Sequence, residues 1–205
     1  MSVSSRVGRV TGFVCAGWVL WSVGVAGAAP VEWPTSAGGN GHFYEVVVNQ
    51  DLGWDAAQAL AVASGGYLAT ITSEAEQQFI EDLLLDTLTL TGGIWIGLWE
   101  PSEGDWQWIT GEPVSYDNWA PDQPDNALGV ENRGQLLWTL GGEEPTAYRR
   151  GWWNDAPESG WASNPFDPAL LDLNRRGWVV EYVPEPALGA MALAVGAALA
   201  GRRRA

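Results

Sequence analysis

The 205-residue sequence contains one cysteine, one histidine and no lysine. Because Cys15 lies in an apolar N-terminal segment, we predict no disulfide and no thiol chemistry in the rest of the chain, which packing must stabilise. His42 leaves no histidine pair for a zinc site. The sequence has no nucleophile and base pattern and no phosphate-binding loop, and only carboxylate pairs such as Glu143 and Glu144 would suit acid–base catalysis. We therefore expect that the protein is not an enzyme.

Positive charge is scarce as well. All 25 acidic residues lie between Glu32 and Glu185, and that stretch has five arginines, which gives it a formal charge of −20. The arginines are Arg133, Arg149, Arg150, Arg175 and Arg176. So acidic a surface repels phosphate backbones and anionic lipids, whereas it attracts divalent cations. We predict no nucleic-acid partner, and we consider divalent cations as partners.

Residues 1–29 have the order of a secretory signal peptide. Arg6 and Arg9 precede an apolar run over residues 12–25, and small residues follow at 26–29. This order predicts export and cleavage. An uncleaved membrane anchor is the alternative. Residues 30–40 are rich in Pro, Gly and Ser, and we predict that they form a linker before a domain at residues 41–182.

Residues 183–205 have the features of a second targeting signal. Pro184-Glu185-Pro186 is followed by an apolar segment at 187–200 and by arginines at 202–204. The apolar segment is shorter than the about 20 residues that usually span a membrane. These parts, in this order, resemble the PEP-CTERM sorting tail of Gram-negative bacteria. The resemblance implies export, processing by an exosortase near residues 184–186 and release to the cell envelope or the extracellular matrix, with membrane contact only through the tail before processing. An ordinary tail anchor is the alternative.

The pattern between the two ends predicts an α+β domain. Residues 41–48 alternate as a strand, and residues 51–64 form a helix that ends at Gly65-Gly66. Thr72 or Ser73 caps a second helix that runs to about Leu88, and Gly92-Gly93 then breaks the pattern. The apolar stripe of the first helix consists of Leu52, Ala56, Ala59, Leu60 and Ala63. Further predicted elements are strands at 67–71, 94–98, 136–138, 151–153 and 177–182, a hairpin around Trp106 and Trp108, and long loops at 141–150 and 157–174.

Five side chains with oxygen donors stand in the long polar loop and in a later strand. They are Gln123, Asp125, Glu131, Asn154 and Asp155. Their carboxylate and carboxamide oxygens suit Ca²⁺, which takes about 6–8 oxygen ligands. Pro124 restricts its own backbone and that of the residue before it, so it favours a rigid turn between two donors. The alternative is ordinary turn chemistry, in which Asp and Asn are also common.

The order of elements resembles the C-type lectin-like domain over residues 41–182. The residues that carry the resemblance are Trp95-Ile96-Gly97-Leu98, Gln123-Pro124-Asp125 and Trp153-Asn154-Asp155. The resemblance implies two helices flanking short antiparallel sheets, with a long calcium-binding loop and a cis peptide bond before Pro124. It also implies that one set of residues binds both Ca²⁺ and the hydroxyls of a sugar, with the Asp155 carbonyl as a further ligand. This set is Gln123, Asp125, Glu131, Asn154 and Asp155.

Two function hypotheses follow from this resemblance. The first is an exported calcium-dependent carbohydrate-binding module. Its Gln-Pro-Asp motif is similar to that of galactose-type binders, and Trp152 or Trp161 would be the residue that stacks on the sugar. The alternative is a protein-binding or structural domain of the extracellular matrix, which calcium stabilises without sugar binding.

Three features depart from the family pattern. The family's usual cysteines are missing, and Ala61 and Val180 stand where one pair would be, so we expect an apolar contact there. Asn126 and Asn132 stand where additional calcium sites of the family often use acids, so we do not predict a second ion and leave that site open. The long segment 157–174 would cover the site or extend it.

Overall fold

The computed structural model describes residues 29–49, 52–88, 92–138, 151–160 and 175–184. Eight strands and two α-helices lie in these ranges. The strands are β1 (Val31–Glu32), β2 (Phe43–Val48), β3 (Tyr67–Leu68), β4 (Gly92–Trp99), β5 (Gln107–Trp108), β6 (Arg133–Trp138), β7 (Trp153–Ala156) and β8 (Arg175–Tyr182). The helices are α1 (Trp54–Ala63) and α2 (Glu74–Thr87), and short 3-10 turns occur at Thr35–Ala37 and Ala127–Gly129. The predicted α+β class is confirmed.

Helix α1 packs through a different face from the one that its apolar stripe marks. It buries Trp54, Ala57 and Ala61, whereas Leu60 of the stripe is 43% exposed. Also exposed are Ala56, Ala59 and Ala63. The indole of Trp54 sets the orientation because it is the largest apolar group of the helix, and its Nε1 donates to a β4 carbonyl at 2.7 Å.

Helix α2 begins where the sequence predicts. Ser73 is the N-cap, and its hydroxyl accepts from the Glu76 amide at 3.2 Å, which satisfies one of the free N–H groups of the first turn. Glu76 is buried, and it accepts from the amide and hydroxyl of Thr72 at 2.8 and 2.9 Å and from the Tyr44 hydroxyl of β2. These bonds fix the start of α2 on the sheet.

The strands form one sheet in the order β1-β2-β8-β4-β6-β7, while β3 pairs with β8 and β5 pairs with β4. All pairings are antiparallel except that of β4 with β8. The sheet is therefore mixed rather than purely antiparallel as expected. Because β8 returns to the centre and lies between two strands of opposite direction, it must run parallel to one of them.

Two buried apolar clusters hold the helices on the sheet. One packs Ile80 and Leu84 of α2 with Trp153, and the other packs α1 with β8. Ala61 and Val180, which stand in place of a cysteine pair, are both buried in the second cluster. Trp54, Trp95 and Trp178 are among the buried residues of the second cluster.

Two segments differ from the sequence predictions. Residues 30–40 belong to the folded unit rather than to a linker, because β1 pairs with β2 and the Trp33 ring stacks on Phe79 with centroids 5.7 Å apart. Gly93, predicted to break the pattern, lies inside β4. A Cβ atom there would be 2.0 Å from Gln135 Oε1, so a side chain at this position would require Gln135 to move.

Several predicted features lie outside the described residues. They are residues 1–28, Glu143, Glu144, the 141–150 loop, residues 161–174 and the tail from Glu185 onward. In the part of the chain that the structure describes, no helix combines the length and the apolar character needed to cross a membrane.

Candidate functional site

The start of the long loop is fixed to β7. Ala120 N donates to the Trp153 carbonyl at 2.8 Å, and Gln123 N donates to the Ala120 carbonyl at 3.0 Å. The peptide bond between Gln123 and Pro124 is cis, which confirms the prediction. Asp125 follows this bond, and its amide donates to Gln123 Oε1 at 3.2 Å. The two loop donors thus lie in one compact turn beside β7.

A tight turn from Asn126 to Glu131 closes the loop. Ala127 N donates to Glu131 Oε2 at 2.7 Å, and Glu131 N donates to Asn126 Oδ1 at 3.1 Å, so the side chain at each end of the turn accepts from a backbone amide at the other end. Leu128 has a φ of 60°, in the left-handed region that such residues rarely adopt. Leu128 and Val130 are 70% and 49% exposed at the tip. Asn126, which the sequence marks only as a departure from the family pattern, thus helps to hold Glu131.

Trp153 anchors β7, which supplies Asn154 and Asp155. Trp153 is fully buried, and its Nε1 donates to Gln77 Oε1 of α2 at 2.8 Å. Three rings pack edge-on against it, with centroid distances of 5.5, 5.7 and 5.8 Å, from Trp108, Tyr116 and Trp119. The strand therefore presents its two donors from a rigid support.

The structure brings three of the five predicted site residues together. One carboxylate oxygen from each of Asp125, Glu131 and Asp155 lies within 4.8 Å of the other two. Asp155 Oδ1 accepts from Asp125 N at 3.2 Å, and its Oδ2 accepts from Asn126 N at 2.8 Å, which ties the loop to β7. Asp155 is 0% and Glu131 3% exposed, whereas Asp125 is exposed. The cluster has a buried floor and one exposed side.

Gln123 and Asn154 flank this cluster on the same two segments. Gln123 is half-buried. Asn154 is 8% exposed, and its amide donates to the Asp155 carbonyl. The Asp155 carbonyl and the side-chain carboxamides of Gln123 and Asn154 are the additional oxygen ligands that the resemblance implies.

Electrostatics at the cluster favours a cation. Burial raises the pKa of the Asp155 carboxyl above its usual value, and the charge of Asp125 acts in the same direction, whereas backbone hydrogen bonds lower it. Negative charges this close repel one another, and a bound divalent cation offsets the repulsion. The donor set of oxygens with excess negative charge therefore fits Ca²⁺.

A hollow beside the cluster contains acids that the sequence analysis did not single out. Its lining includes Glu100, Glu103, Asn126, Glu131 and Asn132. Burial raises the pKa of Glu100, and the charge of Glu103 adds to the effect, whereas a backbone bond from Gly104 opposes it. No local pattern marks Glu100 and Glu103 as site residues, because they reach the loop only through the turn after β4.

Two tryptophans were predicted as residues that stack on a sugar, and one histidine was assigned no role. Trp152 is half-buried, and Trp161 lies outside the described residues. His42, to which the sequence assigns no role, has its Nδ1 2.6 Å from Glu181 Oε1. Glu181 also accepts from the Thr70 amide at 3.0 Å, so these contacts join the residue before β2, strand β8 and the segment after β3.

Comparison with known proteins identifies the family. The Lectin C-type domain model matches residues 50–157 of the 205, so the chain belongs to the C-type lectin domain family. A perlucin-like protein of Mytilus galloprovincialis is 36% identical over 76 residues, 36% of this chain and 49% of that protein. The type-2 ice-structuring protein of Brachyopsis segaliensis is 40% identical over 76 residues, 37% of this chain and 42% of that protein. The chain thus spans less than half the length of these relatives.

Solved structures show the same fold. The C-type lectin CEL-I of Cucumaria echinata has a TM-score of 0.55 at 24% identity, covering 70% of this chain and 91% of that one. The cow C-type carbohydrate-recognition domain of CD23 has a TM-score of 0.52 at 25% identity, covering 70% and 89%. A calcium-independent type II antifreeze protein has a TM-score of 0.52 at 24% identity, covering 77% and 96%. The matched family is a lectin domain family, and no catalytic family is indicated.

Proposed function

We propose that the protein is an exported, calcium-dependent carbohydrate-binding module. The observation that carries this proposal is the convergence of three carboxylate oxygens within 4.8 Å, at a loop closed by a cis Gln-Pro bond. The residues that would hold the ion and contact the sugar are Gln123, Asp125, Glu131, Asn154 and Asp155. When bound, the ion supplies coordination positions for two neighbouring sugar hydroxyls.

The chain's own residues supply the remainder of the recognition. Gln123 offers both a donor and an acceptor to a hydroxyl pair, whereas Asp125 offers only acceptors. This order supports a galactose-type preference. The fold alone is weaker support, since the CD23 domain was solved in the presence of a GlcNAc2Man3 oligosaccharide, whereas the antifreeze relative of the same fold is calcium-independent. The donor set, rather than the fold, is therefore the reason to propose calcium.

The experiment is a glycan array probed with the full-length protein in calcium, in magnesium and in chelator. We expect binding to galactose-type glycans only in calcium, because Mg²⁺ demands tighter octahedral geometry and keeps its waters. Asp155→Asn should abolish binding, and Asp86→Asn, which changes an exposed acid of α2 outside the cluster, should not. Equal binding in calcium and chelator would refute the calcium requirement.

A structural or protein-binding role in the extracellular matrix is the second candidate. The exposed Leu128 and Val130 at the loop tip favour it, because exposed apolar side chains suit contact with a protein surface. The two candidates differ in one result. If calcium raises the melting temperature while no glycan binds, the second candidate replaces the first.

Export and processing belong to the same proposal. The predicted signal peptide at residues 1–29 and the tail at 183–205 support a location in the cell envelope or outside the cell, reached by way of an exosortase. Mass spectrometry of the protein recovered from a Gram-negative host with and without an exosortase tests this. A tail that stays intact in both hosts would contradict processing.

A further inference from the structure

The guanidinium of Arg133 connects the end of the long loop with the start of α1. Nη1 donates to the carbonyl oxygen and to Oδ1 of Asn132, each at 3.0 Å, and Nη2 donates to Asp55 Oδ1 at 3.2 Å. The Cζ atom lies 4.9 Å from the centre of the Trp54 ring. The Arg133 side chain is only 15% exposed. Among the arginines, it is the one whose side chain the structure describes, in a chain without lysine.

The α1 end of this connection is well fixed. Trp54 is 6% exposed, and its Nε1 donates to a β4 carbonyl at 2.7 Å. Trp54 N donates to the Glu158 carbonyl at 2.9 Å, and Asp55 N donates to Glu158 Oε1 at 3.4 Å. Glu158 follows β7, the strand of Asp155. The segments that follow Glu131 and Asp155 are thus both attached to the first turn of α1.

The loop end of the connection is the residue next to Glu131. Asn132 N donates to the Ala156 carbonyl at 3.1 Å, and the Asn132 carbonyl also accepts from Glu100 N at 3.0 Å. Arg133 adds two bonds to Asn132, one of which reaches its side chain. Asn132, the residue after Glu131, is therefore held by hydrogen bonds from several sides. Among these bonds, those of the Arg133 side chain are the ones that connect Asn132 with α1.

We propose that Arg133 is a positioning residue of the candidate calcium site, which holds Glu131 in place through Asn132 and the first turn of α1. The inference rests on the proposed calcium binding. The charge of Arg133 and its positioning role predict opposite effects. A positive charge near the site repels Ca²⁺, so its removal alone would tighten binding. Loss of the positioning contacts would weaken binding instead.

The substitution Arg133→Lys separates the effect of charge from the effect of positioning. It keeps the positive charge, but it lacks the planar fork that bonds Asn132 and Asp55 together and stacks on Trp54. Charge alone therefore predicts unchanged calcium affinity in Arg133→Lys, whereas positioning predicts weaker affinity. Arg133→Met removes the charge and keeps an apolar stem of similar length over the ring.

The first measurement is the calcium Kd of the full-length protein by isothermal titration calorimetry, at a temperature where near-ultraviolet circular dichroism shows every variant folded. We expect the Kd to rise roughly three- to tenfold in both Arg133→Met and Arg133→Lys. Asp86→Asn, which removes the charge of an exposed acid of α2 outside this connection, is the control. Because solvent and salt screen an exposed charge, the calcium Kd of this variant should stay within about twofold of wild type.

The second measurement needs no calcium. In metal-free protein, amide hydrogen exchange should be faster at Glu131 and Asn132 in both variants, while the core amide of Ala69, bonded to the Val179 carbonyl at 2.9 Å, stays unchanged. Unchanged exchange at the two loop amides, or a uniform increase at all three, would overturn the positioning role. So would a Kd that is unchanged or lower in both variants. If wild type binds no calcium, the proposed function fails, and the exchange result still decides whether Arg133 fixes the loop.

Discussion

Replacing Glu131 by glutamine should change the stability of the protein in opposite directions with and without calcium. The Glu131 side chain is 3% exposed, and its carboxylate lies within 4.8 Å of those of Asp125 and Asp155. The substitution removes one of three like charges and keeps an oxygen that can accept from Ala127 N. The metal-free protein should therefore gain stability, while the calcium-bound protein loses a ligand.

The distances between the three carboxylates set the size of the expected change in stability. Two unit charges at that separation repel by about 3 kcal/mol at an effective dielectric constant of about 20. Glu131 takes part in two such pairs, but solvent screens the exposed Asp125, so we expect a net gain of about 2 kcal/mol. For a domain of this size that is a rise of about 4–8 °C in melting temperature. Wild type should gain about 2.7 kcal/mol at a calcium concentration of about 100 times Kd, and Glu131→Gln almost none.

The assay is thermal unfolding of the full-length wild-type and variant proteins, in chelator and in excess calcium. Asp86→Asn, an exposed acid of α2, is the control for removing a charge elsewhere. The variant should melt higher than wild type in chelator and lose the calcium-dependent shift. A variant that melts lower than wild type in chelator would show that the carboxylates do not repel as argued. A full calcium shift in the variant would remove Glu131 from the ligand set.

Three further predictions concern specificity, pH and packing. The double substitution Gln123→Glu with Asp125→Asn keeps the net charge and should move glycan preference from galactose-type toward mannose-type ligands on an array, and an unchanged preference would contradict the specificity proposal. Burial raises the pKa values of Glu76, Glu100 and Asp155 above their unfolded values, so their stabilising contribution is present below the unfolded pKa and is lost as pH rises through the folded pKa. In chelator, the melting temperature should thus fall as the pH rises above the ordinary carboxyl pKa of about 4, and a rise in melting temperature over that interval would contradict the argument. Trp153→Phe removes the donor to Gln77 Oε1 and should cost about 1–3 kcal/mol in urea unfolding, and Trp153→Ala about 3–5 kcal/mol; equal losses in the two would show that the indole N–H is unimportant.

The order of elements could be predicted from the sequence because caps and periodicity act locally. Ser73, one of the two predicted caps, begins α2, and the cis bond before Pro124 follows from the resemblance of the motif. The face that α1 buries could not be predicted, because the stripe of alanines and Leu60 is as periodic as the buried face. The large ring of Trp54 decided between the two faces through a contact with β4, which is distant in sequence.

The candidate site was likewise only partly predictable from the sequence. Asp125, Glu131 and Asp155 were predicted from donor chemistry and motif spacing, and the structure brings their carboxylates together. Whether they bind calcium remains a prediction. The contacts of Arg133 gave no local signal, because its partner Asp55 lies 78 positions away in the chain. Long-range contacts of this kind depend on the completed sheet and not on any nearby pattern.

The division of the cluster between a strand and a loop has a kinetic consequence. Asp155 lies in β7, which the ladder with β6 keeps in place, whereas Asp125 and Glu131 lie in the loop before β6. An arriving ion would thus meet the Asp155 half already formed, and the loop half would close around it afterwards. We expect stopped-flow calcium binding to show a fast phase that depends on calcium concentration, followed by a slower phase that does not.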